Sequence, residues 1–105
     1  MTQPPPVQKA AQLFDLTGRI AIVTGASSGL GTRFAQVLAA HGAKTVLVAR
    51  RADRLAQEAD AIRASGGTAL AVAADLTRAE EIERMLDVVE KEFGTPHILV
   101  NNAGI

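Results

Sequence analysis

Residues 24–31 read TGASSGLG, a stretch with glycine at positions 25, 29 and 31 and almost no side-chain bulk. A backbone this bare suits one kind of chemistry, the holding of an anion by main-chain amides. Where a buried strand turns into a helix, the first amides of the helix have no partner within it and carry the positive end of its dipole. A phosphate can sit there if no side chain blocks the approach. Gly25 permits the tight turn, Gly29 the close approach of the anion, and Gly31 the close packing of helix on strand. The spacing is G-x-x-x-G-x-G, distinct from the G-x-G-x-x-G fingerprint. It also lacks the Gly-Lys-Ser/Thr ending of a triphosphate loop, because Leu30, Gly31 and Thr32 stand there.

Three more clusters follow later apolar runs: Ala49-Arg50-Arg51, Ala74-Asp75-Leu76 and Asn101-Asn102-Ala103-Gly104. Arg50, Arg51 and Arg54 put positive charge where a helix begins, against the dipole, so Arg50 in particular wants a reason outside the helix. Arg51 and Arg54 also read as a solvated helix start, Asp75 as a carboxylate leading into the next helix, and Gly104 as a turn glycine. His41 before Gly42 and His97 opening an apolar run lack a carboxylate or serine partner and read as structural. There is no cysteine, so disulfides and thiolate metal sites are excluded, and no metal is expected.

The elements that must position these residues are legible as period and punctuation. IAIVT (20–24), TVLVA (45–49), ALAVAA (69–74) and HILVN (97–101) are short continuous apolar runs, the pattern of strands buried on both faces. Helical patterns separate them. The first places Leu30, Phe34, Val37, Leu38 and His41 on one face and ends at Gly42. The second groups Leu55, Ala59 and Ile62 and ends at SGG. The third opens with a Thr77–Glu80 capping box, carries Ile82, Met85, Leu86, Val89 and Phe93, and stops at Gly94 and Pro96. Alternating strand and helix predicts a parallel sheet with right-handed crossovers. If the strand order is 3-2-1-4, all four clusters gather at the carboxyl ends of the strands, at the point where the order reverses.

The 105 residues suit one small domain, and 11 basic against 11 acidic residues give no electrostatic case for nucleic acid or an anionic membrane. No apolar run is long enough to span a bilayer, and the N-terminus lacks a signal-peptide core, so a cytoplasmic protein is expected. Residues 1–12, with QPPP, read as a mobile tail. Residues 13–105 read as the domain, with Phe14 and Leu16 expected on the sheet edge and a turn at Thr17-Gly18.

TGASSGLG, followed by NNAG about 70 residues later in this α/β order, resembles the N-terminal part of the short-chain dehydrogenase/reductase family. The resemblance covers residues 13–105 and implies a Rossmann-type doubly wound sheet that binds NAD or NADP for hydride transfer with an alcohol or carbonyl carbon. It implies that Ser27 and Ser28 belong to the phosphate loop and that the amides of Ser28 to Leu30 meet the pyrophosphate. Asp75, with the Leu76 amide beside it, would accept from the adenine amino group, and Asn101, Ala103 and Gly104 would line the adenosine ribose. NAD-binding Rossmann folds usually place a carboxylate at the end of the second strand. That position is Ala49, and Arg50 follows with planar donors suited to a 2′-phosphate, so NADP(H) is expected over NAD(H).

The family's catalytic serine, tyrosine and lysine are not carried over. The chain has no tyrosine, Ser27 and Ser28 belong to the loop, and Lys9, Lys44 and Lys91 lie elsewhere. The expectation is a fragment, the cofactor part of an oxidoreductase, with a small-molecule alcohol or carbonyl substrate and a homo-oligomeric form belonging to the full-length protein. A non-catalytic nucleotide-binding module, acting as a sensor or assembly partner, is the alternative. A methyltransferase-type fold is disfavoured because Ala49 stands where that class wants an acid.

Overall fold

A computed structural model describes residues 14–27 and 29–102. The expected tail, Ser28, Ala103 and Gly104 lie outside the described residues. Strands β1 (Ile20–Thr24), β2 (Lys44–Ala49), β3 (Thr68–Ala73) and β4 (Ile98–Asn101) alternate with helices α1 (Gly29–Ala40), α2 (Ala52–Ala64) and α3 (Ala79–Glu92). All neighbours in the sheet are parallel, and the order is β3-β2-β1-β4. This is the Rossmann-type α/β sheet, with the strand order expected from sequence. The chain runs outward from β1 to β3, then returns to the far side of β1, so the reversal lies between β1 and β4.

Two of the continuous apolar runs, β1 and β2, form the inner strands, where both faces of the sheet are covered. Every residue of β1 is buried. In β2, Val46, Leu47 and Val48 are fully buried; each such side chain contributes about 1.5–3 kcal/mol over an exposed one, so β2 anchors the sheet. On one face Val23, Leu47 and Ala69 pack with Ala35 and Ala39 of α1 and Leu55, Ala59 and Ile62 of α2. On the other, Ile22, Val46, Val48 and Val72 pack with Met85 and Val89 of α3. β4 is the open edge, with burial alternating along it and Leu99 65% exposed.

Three local expectations are corrected. The face of α1 that meets the sheet is small: Gly31, Ala35 and Ala39 are buried, while Leu30, Phe34 and Val37 are exposed. A helix that must approach a strand closely turns its smallest residues inward, so the large apolar stripe ends up outside. The capping box does not form. Arg78 is the N-cap of α3 and makes no side-chain cap bond, Thr77 donates instead to Asp75, and Glu80 pairs with Arg78. Phe14 stands edge-on to the His41 ring at the end of α1, at 6.4 Å between centroids, rather than on the sheet.

Candidate functional site

The strand register sets the carboxyl ends level. Thr24 pairs with Val48 on one side and Asn101 on the other, and Ala49 pairs with Ala73. Beyond the strands the ladder continues: the Ala26 amide donates to the Val48 carbonyl at 3.2 Å and the Ala74 amide to the Ala49 carbonyl at 2.9 Å. These bonds hold three turns side by side around a cleft of about 570 Å³. The first turn supplies Gly25, Ser27, Gly29 and Leu30, the second Ala49, Arg50 and Arg51, the third Asp75, Leu76 and Thr77, and the segment after β4 supplies Asn102. Of the residues singled out in sequence, eight therefore meet here: Gly25, Ser27, Gly29, Leu30, Arg50, Arg51, Asp75 and Leu76.

The glycine loop needs its glycines for two different reasons. Gly25 and Gly29 have φ of +64° and +55°, a left-handed backbone that costs other residues about 1–2 kcal/mol. A Cβ on Gly29 would meet nothing within 4 Å, so the space above it is cleft. Gly31 is buried, and a Cβ there would run into the Gly25 carbonyl and the Asn102 amide. Gly31→Ala must therefore push α1 off β1. Overpacking of this kind costs about 1–3 kcal/mol, which in a domain of this size lowers the melting temperature by about 4–8 °C per kcal/mol. A thermal melt checks it; an unchanged midpoint would show that the helix has room to spare.

Asn102 lines the cleft, and the sequence reading gave it no role. Its backbone amide donates to Thr24 Oγ1 at 3.0 Å, and its side-chain Nδ2 donates to the Gly25 carbonyl at 3.3 Å. It thereby joins the end of β4 to the start of the glycine loop. Asn101 stands beside the cleft rather than in its wall, and its Oδ1 accepts from the Thr24 hydroxyl at 3.1 Å. Successive residues of a strand face opposite ways, so only one of two adjacent asparagines can turn toward the loop. Two asparagines in a row were the available signal.

Asp75 is arranged as an acceptor. The Thr77 hydroxyl and amide both donate to its Oδ1, at 2.7 and 3.0 Å. These two bonds, the hydroxyl's first, hold the carboxyl below its ordinary range, with the charges of Arg50 and Arg78 adding in the same direction. The turn leading into α3 thus occupies Oδ1 of Asp75. Behind it, Arg84 donates to the Ala73 carbonyl at 2.6 Å and to Glu81 Oε2 at 2.8 Å, bracing the end of β3 on α3. Its guanidinium holds the Glu81 carboxyl low. Arg50 and Arg51 are exposed; the salt bridges among the described residues engage Arg63, Arg78 and Arg84 instead. The cleft thus brings together a glycine-rich backbone, two arginine cations and the Asp75 carboxylate.

Both histidines are engaged elsewhere. The Ile20 amide donates to His97 Nδ1 at 3.0 Å, at the foot of the sheet. His41 Nδ1 lies 2.8 Å from the Val37 carbonyl in the last turn of α1. A second cavity of about 550 Å³ at the opposite end of the sheet is walled by small and neutral residues such as Ala39, Gly42 and Gly66. No group of histidine, aspartate and glutamate among the described residues could hold a metal ion, and no described helix is long and apolar enough to cross a membrane.

A parallel α/β sheet in this strand order, with a glycine-lined, partly cationic cleft at its strand ends, defines a Rossmann-type unit, a fold whose ligands generally lie at the topological switch point. The model of the short chain dehydrogenase family matches residues 19–105, and the chain belongs to that family of oxidoreductases. A fatty acyl-CoA reductase of Mycobacterium tuberculosis is 45% identical over 95 residues, covering 90% of this chain and 32% of the relative. A γ-butyrolactone 1′-reductase of the A-factor type from Streptomyces virginiae is 46% identical over 79 residues, covering 75% of this chain and 31% of its own length. Among solved structures, a metagenomic short-chain oxidoreductase in complex with NADP superimposes with a TM-score of 0.82 at 40% identity, covering 87% of this chain and 41% of that one. A hydroxysteroid dehydrogenase from Escherichia coli gives 0.81 at 35% identity, covering 84% and 37%. The chain spans about a third of the length of the curated relatives it matches.

Proposed function

We propose that this chain is the cofactor-binding part of an NADP(H)-dependent oxidoreductase acting on an alcohol or carbonyl compound. The observation that carries the reading is the end of β2. Ala49 stands where a carboxylate would hold a ribose 2′-hydroxyl, and Arg50, exposed in the wall of the cleft, carries a guanidinium fit for a 2′-phosphate. The fit extends along the cleft. The open space over Gly29 admits a pyrophosphate, with the amides of the Ser28–Leu30 segment as donors. Asp75 stays ionised at neutral pH and accepts from an adenine amino group, with the Leu76 amide beside it. Asn102 holds the Gly25 carbonyl and so fixes the loop's first turn. Asn101, Ala103 and Gly104 belong to the ribose side of the same site. That a solved relative of this fold is a complex with NADP supports the choice of cofactor. When bound, the nicotinamide supplies hydride transfer; the chain's own residues bind and orient the adenosine and phosphate portion.

NADPH and NADH are titrated into the protein by fluorescence. Saturable binding, tighter for NADPH, is the expected result; no binding of either overturns the reading. Removing a general acid costs about two to four decades in rate, and the chain has no tyrosine to serve as one. Residues 1–105 alone are therefore expected to bind without turning over a panel of ketones, as followed by NADPH absorbance. Turnover that survives purification and disappears in Gly29→Val would place a working active site within this chain. The cytoplasm, a small-molecule substrate and a homo-oligomeric assembly of the full-length protein complete the proposal. Binding without turnover in a protein carrying the full length of its relatives would favour the non-catalytic module.

A further inference from the structure

We propose that Glu58 is a positioning residue for the glycine loop, acting through Thr32; the proposal rests on the nucleotide reading above. Thr32 lies in the first turn of α1. Its hydroxyl is 3.0 Å from the Ala26 carbonyl and 2.9 Å from Glu58 Oε1 on α2. The other carboxyl oxygen of Glu58, Oε2, is buried without a hydrogen-bond partner among the described residues. The packing face of α2 is already supplied by Leu55, Ala59 and Ile62, so the fold does not need an acid at position 58. Drawing a carboxyl oxygen out of water without a partner is unfavourable, and the group lies where it meets the Thr32 hydroxyl that bonds the Ala26 carbonyl of the loop.

The consequence for the loop follows from peptide geometry. The peptide bonds of the described residues are trans, so the Ala26 carbonyl and the Ser27 amide lie in one plane and point in opposite directions. Holding the carbonyl on Thr32, at the α1–α2 seam, turns the Ser27 amide away from that seam, and Ser27 lines the cleft. Ala26 is itself fully buried and its amide is tied to Val48, so the residue is held at both its amide and its carbonyl. The same bond ties the loop to α2, whose leading residues Arg50 and Arg51 form the cationic end of the cleft. Phosphate-holding amides and arginines are thereby kept in one frame. One hydroxyl hydrogen is shared between two acceptors, which makes a prediction about chemistry rather than bulk. A glutamine at position 58 can donate to Thr32 Oγ1 and keep α2 tied to it, whereas a leucine leaves the Thr32 hydrogen to the Ala26 carbonyl but makes no bond that holds Thr32 to α2.

The test titrates NADPH into the unsubstituted chain and into E58Q, E58L, T32V and E58L/T32V, with a thermal melt of each. E58L and T32V should each weaken binding about three- to tenfold, the loss of one hydrogen bond. The double variant should lose no more than T32V alone, because Glu58 acts only through Thr32. E58Q should stay within about twofold of the original affinity, and E58L should melt no lower than the original. Additive losses, E58Q falling with E58L, or unchanged affinity in all four variants would overturn the positioning role while leaving the nucleotide site standing. An unsubstituted chain that binds no NADPH overturns the nucleotide reading itself, and this role with it.

Discussion

Gly29→Val is expected to leave the chain folded and to abolish its binding of NADPH. The neighbourhood of Gly29 separates two effects that a glycine usually mixes. A Cβ there meets no protein atom within 4 Å, so valine does not collide with the fold. It enters the cleft, over the amides that would take the pyrophosphate. The backbone is left-handed at φ +55°, which a β-branched residue tolerates poorly, so some stability is lost as well. Excluding the phosphates forfeits at least two charge-assisted hydrogen bonds of about 1.5–3 kcal/mol each, more than about a hundredfold in affinity. Gly29→Asn isolates the blocking effect, because asparagine accepts the left-handed region while still filling the cleft. Both variants should keep the far-UV circular dichroism of the original chain and lose NADPH. Original affinity in a folded Asn variant would mean that the phosphates lie elsewhere.

The sheet was legible because burial on both faces leaves a signature that needs no neighbour to interpret. β1 and β2 are runs of apolar residues too short for helices, and the clusters after them fell where parallel strands must end. α2 was legible for a similar reason, since Leu55, Ala59 and Ile62 are both its apolar residues at helical spacing and its buried ones. α1 was not. Its sequence carries two candidate faces, a stripe of large residues and a stripe of Gly31, Ala35 and Ala39. A reading weighted by hydrophobicity chooses the large ones. The structure chooses the small ones, because Gly31 must pass beside the Gly25 carbonyl for the loop to close. Closeness of approach is a property of the pair, glycine loop and helix, and neither alone announces it.

The site shows the same division. Glycines, arginines and Asp75 could be found because their chemistry is unusual for their positions: bare backbone after a strand, cations at a helix start, a carboxylate at a strand end. Residues that act by holding others could not. Asn102, Thr24 and Thr32 contribute hydrogen bonds whose partners lie from 6 to 78 residues away, and apart from the doubled asparagine nothing local distinguishes them from ordinary loop and helix residues. Thr77 was noticed for the wrong partner. It has the right spacing to Glu80 for a capping box, but Asp75, two residues before it, offers a closer acceptor in the turn. An aspartate leading a helix competes with the cap for the same hydroxyl, and here that competition also keeps Asp75 charged.

Arg50→Ala should weaken NADPH by about 10- to 150-fold, the loss of charge-assisted bonds of about 1.5–3 kcal/mol, and leave NADH nearly unchanged. The contrast between the two cofactors is the informative quantity, and the structure says why NADH is a fair control. Arg50 also lies near Asp75, so its removal could in principle disturb the adenine end, which both cofactors share. The Asp75 carboxyl, however, is held low chiefly by its two bonds from Thr77, with the Arg50 charge ranking behind them. Those bonds survive the substitution. Arg50 is exposed and follows β2 outside any salt bridge among the described residues, so its truncation breaks no ion pair of the fold and should leave the melting temperature in place. Arg50→Lys refines the test. A lysine keeps the charge but not the planar fork, so it should recover part of the NADPH affinity and remain sensitive to salt. Titrating both cofactors into both variants decides the matter. Equal losses for NADPH and NADH would show that Arg50 serves the shared adenosine portion, and would leave the 2′-phosphate without a partner in this chain.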